Sequence, residues 1–133
     1  NYNVRQFPFV IRYVADLVGV NLVEGEVTGG VLRTATGAEV VIADATPGPS
    51  FAIVRPHSIL ITRDAPTGSS VRNVWSGTVT DVDRLGDRVR IRVDGALPLT
   101  AEITAAALDA LALLPGDPVH TAVKATDIEV YPA

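Results

Sequence analysis

Val54-Arg55-Pro56-His57-Ser58-Ile59 returns in altered form as Val123-Lys124-Ala125-Thr126-Asp127-Ile128. Each copy has a valine closing an apolar run, then a cation, a short turn and an isoleucine that opens the next run. Upstream, Gly25-Glu26-Val27 has its counterpart in Gly77-Thr78-Val79. A glycine, Gly48 or Gly116, precedes each closing run after a similar interval. Matching endpoints in one order describe a duplicated unit, and the second copy is longer mainly because it contains a helical insert at 104–114.

Within each copy the apolar residues follow a short period. Residues 22–27, 31–34, 39–43 and 51–55 read as strands in the first half, separated by turns at Gly29-Gly30, Thr36-Gly37 and Pro47-Gly48-Pro49. Residues 58–62 read as a further strand whose start Pro56 restricts. In the second half, 73–83, 88–93, 99–103, 119–123 and 128–131 are strand-like. Val89, Ile91 and Val93 alternate with Arg88, Arg90 and Arg92, so that sheet turns one face to a core and one to water. Gly86-Asp87 supplies a hairpin turn before it. Thr104 is placed to cap a helix on Ala106 or Ala107, with Leu108, Leu111 and Ala112 as its apolar face and Pro115 ending it at Leu114. Tyr13, Val14, Leu17 and Val18 lie at helical spacing and predict a helix of about two turns, stopped at Gly19. Phe7, Phe9, Val10 and Ile11 call for a partner surface. No alternating series of long helices accompanies the strands, so two compact β-barrels explain the pattern better than one α/β sheet.

Composition narrows the function. In 133 residues the hydrophobic fraction is 47%, which argues against disorder despite nine prolines and eleven glycines. The net charge of −4 offers no general nucleic-acid surface. The Arg88, Arg90 and Arg92 stripe is interrupted by Asp81, Asp83, Asp87 and Asp94 and lacks neighbouring aromatics, which single-strand binding commonly uses. Trp75 reads as a packing residue. With no cysteine and only His57 and His120, thiolate and multi-histidine metal sites are ruled out within one chain. The apolar runs fall far short of the roughly 20 residues that span a bilayer, so membrane association has to pass through another protein. No Ser–His–acid order and no G-x-x-x-x-G-K-[ST] loop is present, and the expectation is a binding module rather than an enzyme.

Two segments carry chemistry. Ser69 to Trp75 (S-S-V-R-N-V-W) and Val123 to Thr126 (V-K-A-T) each set hydroxyls and a cation beside short apolar residues. A tetrahedral dianion needs several short donors converging from different directions. Ser69, Ser70 and Thr126 can supply hydroxyls, residues 71–73 can supply amides, and Lys124 or Arg72 can offset charge. The plainer alternative remains open on these grounds: Ser70 and Asn73 stabilise a turn and Lys124 occupies a solvent-facing position.

These same segments resemble a known family. Ser70-Val71-Arg72-Asn73 is similar to the S-A-R-N motif in the C-terminal accessory region of molybdate-importer ATPase subunits. Gly77-Thr78-Val79, Leu99-Thr100-Ala101-Glu102-Ile103-Thr104 and Val123-Lys124-Ala125-Thr126 follow in the expected order. Residues 13–21 resemble the passage leaving an importer ATPase domain, and Val54 to Ile59 is similar to the R-P-E/H motif of accessory barrels in these ATPases. The resemblance implies an all-β fold of two small OB-like β-barrel modules with short helices, of TOBE/Mop type. It implies three parts: 1–21, an N-terminal segment and short helix leaving an ATPase domain; 22–65, a first, smaller barrel; and 66–133, an oxyanion-binding domain.

It further implies molybdate or tungstate as ligand, with Ser70, Arg72, Asn73, Lys124, Ala125 and Thr126 as site positions and no cofactor. Hydroxyls come from Ser70 and Thr126 and charge from Lys124. Backbone amides matter more than side chains at Arg72, Asn73 and Ala125. Val71 departs from the commoner alanine and narrows the pocket or alters its packing. The implied partners are a homodimer mate, the chain's own N-terminal ATPase domain and, indirectly, membrane permease subunits, on the cytoplasmic side of the membrane. The competing expectations are a structural accessory module that stabilises an ATPase dimer without binding oxyanion, and a sugar-importer accessory domain.

Overall fold

Alternating valines and isoleucines give this chain strands, and the computed structural model, which describes residues 7–67 and 73–133, shows where each one pairs. Helix α1 (Phe7–Val18) leads into β1 (Asn21–Thr28), β2 (Val31–Arg33), β3 (Glu39–Val41), β4 (Gly48–Val54) and β5 (Leu60–Thr62). The second half follows with β6 (Asn73–Leu85), β7 (Arg88–Gly95), β8 (Leu99–Thr104), α2 (Ala105–Leu111), β9 (Pro118–Val123) and β10 (Ile128–Pro132). A single 3-10 turn, Pro56–Ser58 or Ala125–Asp127, precedes the last strand of each half.

The strands do not pair by halves. One antiparallel sheet has the order β10-β4-β1-β2-β3 and the other β5-β9-β6-β7-β8. Each half therefore gives its last strand to the sheet of the other. Ile128 pairs with Val54 and Tyr131 with Phe51, while Leu60 pairs with Ala122 and Thr62 with His120. The Phe51 and Tyr131 rings meet at a centroid distance of 5.8 Å, which favours this cross-strand register. The exchange leaves one core rather than two. Val23, Leu32, Val40 and Ile61 belong to the same buried cluster as Val79, Ile91, Leu99 and Val123.

The expectation of an all-β fold of two small OB-like barrels with short helices is corrected by this pairing. Neither sheet closes on itself: β10 and β3 are edges of one, β5 and β8 of the other. The sheets curl and are partly closed, and two α-helices make the fold mixed. Closure at one edge of each sheet is made by side chains instead of a strand. The Asn73 carboxamide of β6 bonds the backbone of Val41 on β3, and the Asn21 carboxamide of β1 bonds the backbone of Thr100 on β8. Backbone groups that an open edge would leave unpaired are thereby satisfied.

Both helices differ in extent from the sequence expectation. Among the described residues helix α1 extends back to Phe7, a turn and more before Tyr13. It ends as expected at Gly19, which takes φ 74° and donates to the Ala15 carbonyl at 2.9 Å. Thr104 caps α2 by accepting from the Ala107 amide at 3.0 Å. The helix stops at Leu111, short of Pro115. Ala112 adopts the left-handed region, and Arg63 donates to the carbonyls of Leu111 and Ala112 at 3.0 and 2.9 Å. A guanidinium gripping the last carbonyls ends the helix before the proline acts.

Gly25 and Gly77 occupy the same place in the duplicated first strand, and both are there for space. A methyl added at Gly77 would stand 2.6 Å from Val93 Cγ1 and 2.9 Å from the Asp94 carbonyl oxygen. At Gly25 it would collide with the carbonyl of Arg33. Gly77→Ala should cost about 1–3 kcal/mol in urea unfolding, as overpacking against backbone does. An unchanged midpoint would contradict the close approach of β6 and β7.

Candidate functional site

The β6 strand begins at Asn73, the last residue of the S-V-R-N segment, and its register partner on β9 is Val123, the first residue of V-K-A-T. Two segments far apart in sequence thus meet within one chain at one end of a sheet. Beyond Val123 the backbone turns. Lys124 precedes the 3-10 turn with φ −71° and ψ 140°, its carbonyl accepts from the Asp127 amide at 3.0 Å, and Ala125 accepts from the Ile128 amide. Ala125 is buried beneath the turn, while Lys124 and Thr126 are exposed. Ser70 and Arg72 lie outside the described residues, as do Ser69 and Val71.

Each side chain at this end has a different state of commitment. Asn73 is 3% exposed. Its Nδ2 donates to the Val41 carbonyl at 2.9 Å and its Oδ1 accepts from the Val41 amide at 2.7 Å. Two residues on, Trp75 donates from Nε1 to the Glu39 carbonyl at 3.1 Å and packs in the core. Among the described residues Lys124 has no ion-pair partner, and the Thr126 hydroxyl has no hydrogen bond. Among the described residues, an ammonium without an ion-pair partner and a hydroxyl without a hydrogen bond therefore flank a buried alanine.

The duplication supplies an internal comparison. Asn21 starts β1 as Asn73 starts β6, and N-x-x-x-G-x-V-T describes both strands. Asn21 pairs with Val54, the last residue of β4, as Asn73 pairs with Val123. Its carboxamide repeats the clamp: Nδ2 donates to the Thr100 carbonyl at 2.9 Å and Oδ1 accepts from the Thr100 amide at 2.8 Å. Sequence reasoning matched the glycines of these strands and passed over the asparagines four residues earlier, although the repeat was there to find.

The two junctions share a shape and differ in chemistry. Arg55 holds the position of Lys124, but it donates to Glu129 at 2.6 Å. Pro56 holds the position of Ala125 and has no amide to offer. Leu60, which pairs with Ala122 as Glu129 pairs with Ile53, holds the position of Glu129 and brings no charge. Among the described residues the first junction is neutralised, and the second keeps its cation and its amides.

Other features do not compete as sites. A cleft of about 550 Å³ opens among α1, β1, β7 and β8, lined by Arg12, Arg90 and Arg92. Each of these cations already has a carboxylate partner: Glu24, Glu102 and Asp94 respectively. Val89, Ile91 and Val93 are buried beneath the arginine stripe, as the alternation predicts. Among the described residues no group of three His, Cys, Asp or Glu side chains could hold a metal ion, and no helix is long and apolar enough to cross a membrane.

Residues 69–130 match the TOBE domain family. The molybdenum import ATP-binding protein ModC of Mycobacterium tuberculosis, in strains CDC 1551 / Oshkosh and ATCC 25618 / H37Rv, is 35% identical over 131 residues. That alignment covers 92% of this chain and 35% of the relative, so the chain spans about a third of the length of the curated relatives it matches. A crystal structure of the cytoplasmic molybdate-binding protein ModG, in a PEG-grown form with molybdate bound, superposes with a TM-score of 0.74. It covers 85% of this chain and 96% of that one at 19% identity, which establishes a shared fold. The architecture is accordingly a mixed α/β, TOBE/Mop-like fold with a curled, partly closed sheet. The matched family region is the non-catalytic TOBE portion, not an ATPase core.

Glu129 carries a pH signature of the neutralised junction. A hydrogen bond from Arg55, then one from the Tyr131 hydroxyl, holds its carboxyl below the ordinary 4.5. A carboxyl with a depressed folded value contributes fully above its unfolded pKa and loses that contribution as pH falls through the folded one. Glu129→Gln should therefore lower the melting temperature slightly at pH 7, and the two proteins should converge as pH falls through the depressed folded pKa of Glu129. A constant difference across that range would contradict the assignment.

Proposed function

We propose that this chain, which carries a TOBE-domain region homologous to ModC-type molybdate importer ATPase subunits, is an accessory domain that binds molybdate or tungstate. The observation that carries the reading is the pairing of Asn73 with Val123, beside a Lys124 that has no ion-pair partner among the described residues. It joins the ends of the two segments whose residue types suit a tetrahedral dianion. Lys124 offsets charge, the Thr126 hydroxyl and the Ala125 backbone donate from one side, and Ser70, Arg72 and the Asn73 backbone supply the other.

In this reading the chain divides into 1–21, which leaves an ATPase domain, 22–65, the smaller module, and 66–133, the oxyanion module. The two modules are interlocked by their exchanged strands. The partners are a second copy, the ATPase domain of the same subunit and, through it, a permease at the cytoplasmic side of the membrane. Occupancy favours one arrangement of paired accessory domains and so restrains transport when oxyanion is plentiful. That requires different anion affinities in the two transporter states, on the order of 1–3 kcal/mol.

A structural role in a dimer is the second reading. It is favoured by the apolar face that α1 leaves exposed, with Tyr13 at 66% and Leu17 at 69%. Calorimetric titration of the chain with molybdate, tungstate and sulfate separates the two readings. Molybdate or tungstate should bind. Lys124→Ala should weaken binding about 10- to 100-fold, the worth of a charge-assisted hydrogen bond, while circular dichroism stays unchanged. Equal affinity in the variant would reject the role of Lys124; no binding by the wild type would leave the structural reading.

A further inference from the structure

We infer that Asn73 is a positioning residue: through its carboxamide it fixes the oxyanion site against the Val41 backbone of the other sheet, which makes edge strand β3 part of the site's support. The inference rests on the oxyanion reading and adds to it a route by which the site is held.

The geometry has three parts. The Asn73 side chain is buried, and its bonds of 2.7 and 2.9 Å to Val41 direct both polar ends away from a guest and into β3. Asn73 is also the residue whose backbone lies beside Val123, so any slip of Asn73 moves one side of the enclosure relative to Lys124. Finally, β3 is a three-residue edge strand whose only backbone strand partner among the described residues is β2, and Asn73 and Trp75 grip its two ends, at Val41 and at Glu39. A strand that short holds its place largely through such contacts.

The other side of the site is tied to the same sheet. From Lys124 the chain passes through the 3-10 turn into β10, which pairs with β4. Asn73 is therefore anchored to the first sheet by its carboxamide, and Lys124 by the strand that follows its turn. Displacing either changes the gap between them, which gives the first sheet mechanical purchase on anion affinity.

The duplication provides a matched control. Asn21 makes the same two-bond clamp on Thr100, with a further bond from Nδ2 to the Val54 carbonyl at 3.1 Å, beside the junction where Arg55 is neutralised. Asn73→Ser and Asn21→Ser each remove one clamp and should lower the melting temperature comparably. Molybdate affinity, read by calorimetry on the 133-residue chain, should fall at least about 10-fold in Asn73→Ser and stay within about 2-fold in Asn21→Ser. Hydrogen exchange supplies a readout that stability alone does not move: molybdate should slow exchange of the Val41 amide in the wild type and leave it unaltered in Asn73→Ser. Equal affinity losses in the two variants, or no loss in Asn73→Ser, would overturn the positioning role while leaving the oxyanion reading intact. A wild type that binds no molybdate would remove the oxyanion reading, and this inference with it.

Discussion

The bond pair between the Asn73 carboxamide and the Val41 backbone is the constraint on which the arrangement turns. A buried amide side chain must find partners or lose a large desolvation cost, and a sheet edge presents the donor and acceptor it needs. By meeting each other's need they close an edge that would otherwise invite another chain. They also fix the backbone of Asn73 next to Val123, the juxtaposition from which the proposed site is built. The same bargain is struck at Asn21 and Thr100, so the two sheets are latched at symmetric points.

Exchange of terminal strands gives the latches their meaning. Two small barrels with separate cores would each bury little surface and would be marginal alone. With β5 and β10 traded between sheets, the apolar residues of both halves fill one interior. Symmetry of shape then leaves chemistry free to diverge at the two junctions. At one, Glu129 answers Arg55 and Pro56 removes an amide; at the other, Lys124 and Ala125 keep theirs. A duplicated scaffold with one junction neutralised is a physical basis for the single oxyanion site proposed at the other.

Much of this was legible in the sequence, and the rest was hidden for definite reasons. The alternation of Val89, Ile91 and Val93, the turn at Gly86-Asp87 and the cap at Thr104 are local signals, and the strands and helix they predict are present. The early stop of α2 depends on Arg63, which reaches it from just beyond β5 and is invisible to local pattern. Strand exchange was equally hidden, since period-two patterning sets which face is buried and not which neighbour a strand takes. The carboxamide of Asn73 could face a guest, a turn or a strand on residue type alone; its repeat at Asn21 was the available clue that it serves the scaffold.

The most direct test follows amide shifts along the whole chain as molybdate is added. Heteronuclear NMR titration should perturb the amides of Lys124, Ala125, Thr126 and residues 70–73 together, with one saturation curve, and leave Arg55 to Ser58 unmoved. Shifts confined to one of the two segments, or equal shifts at the Arg55 junction, would contradict a single enclosure built where Asn73 meets Val123.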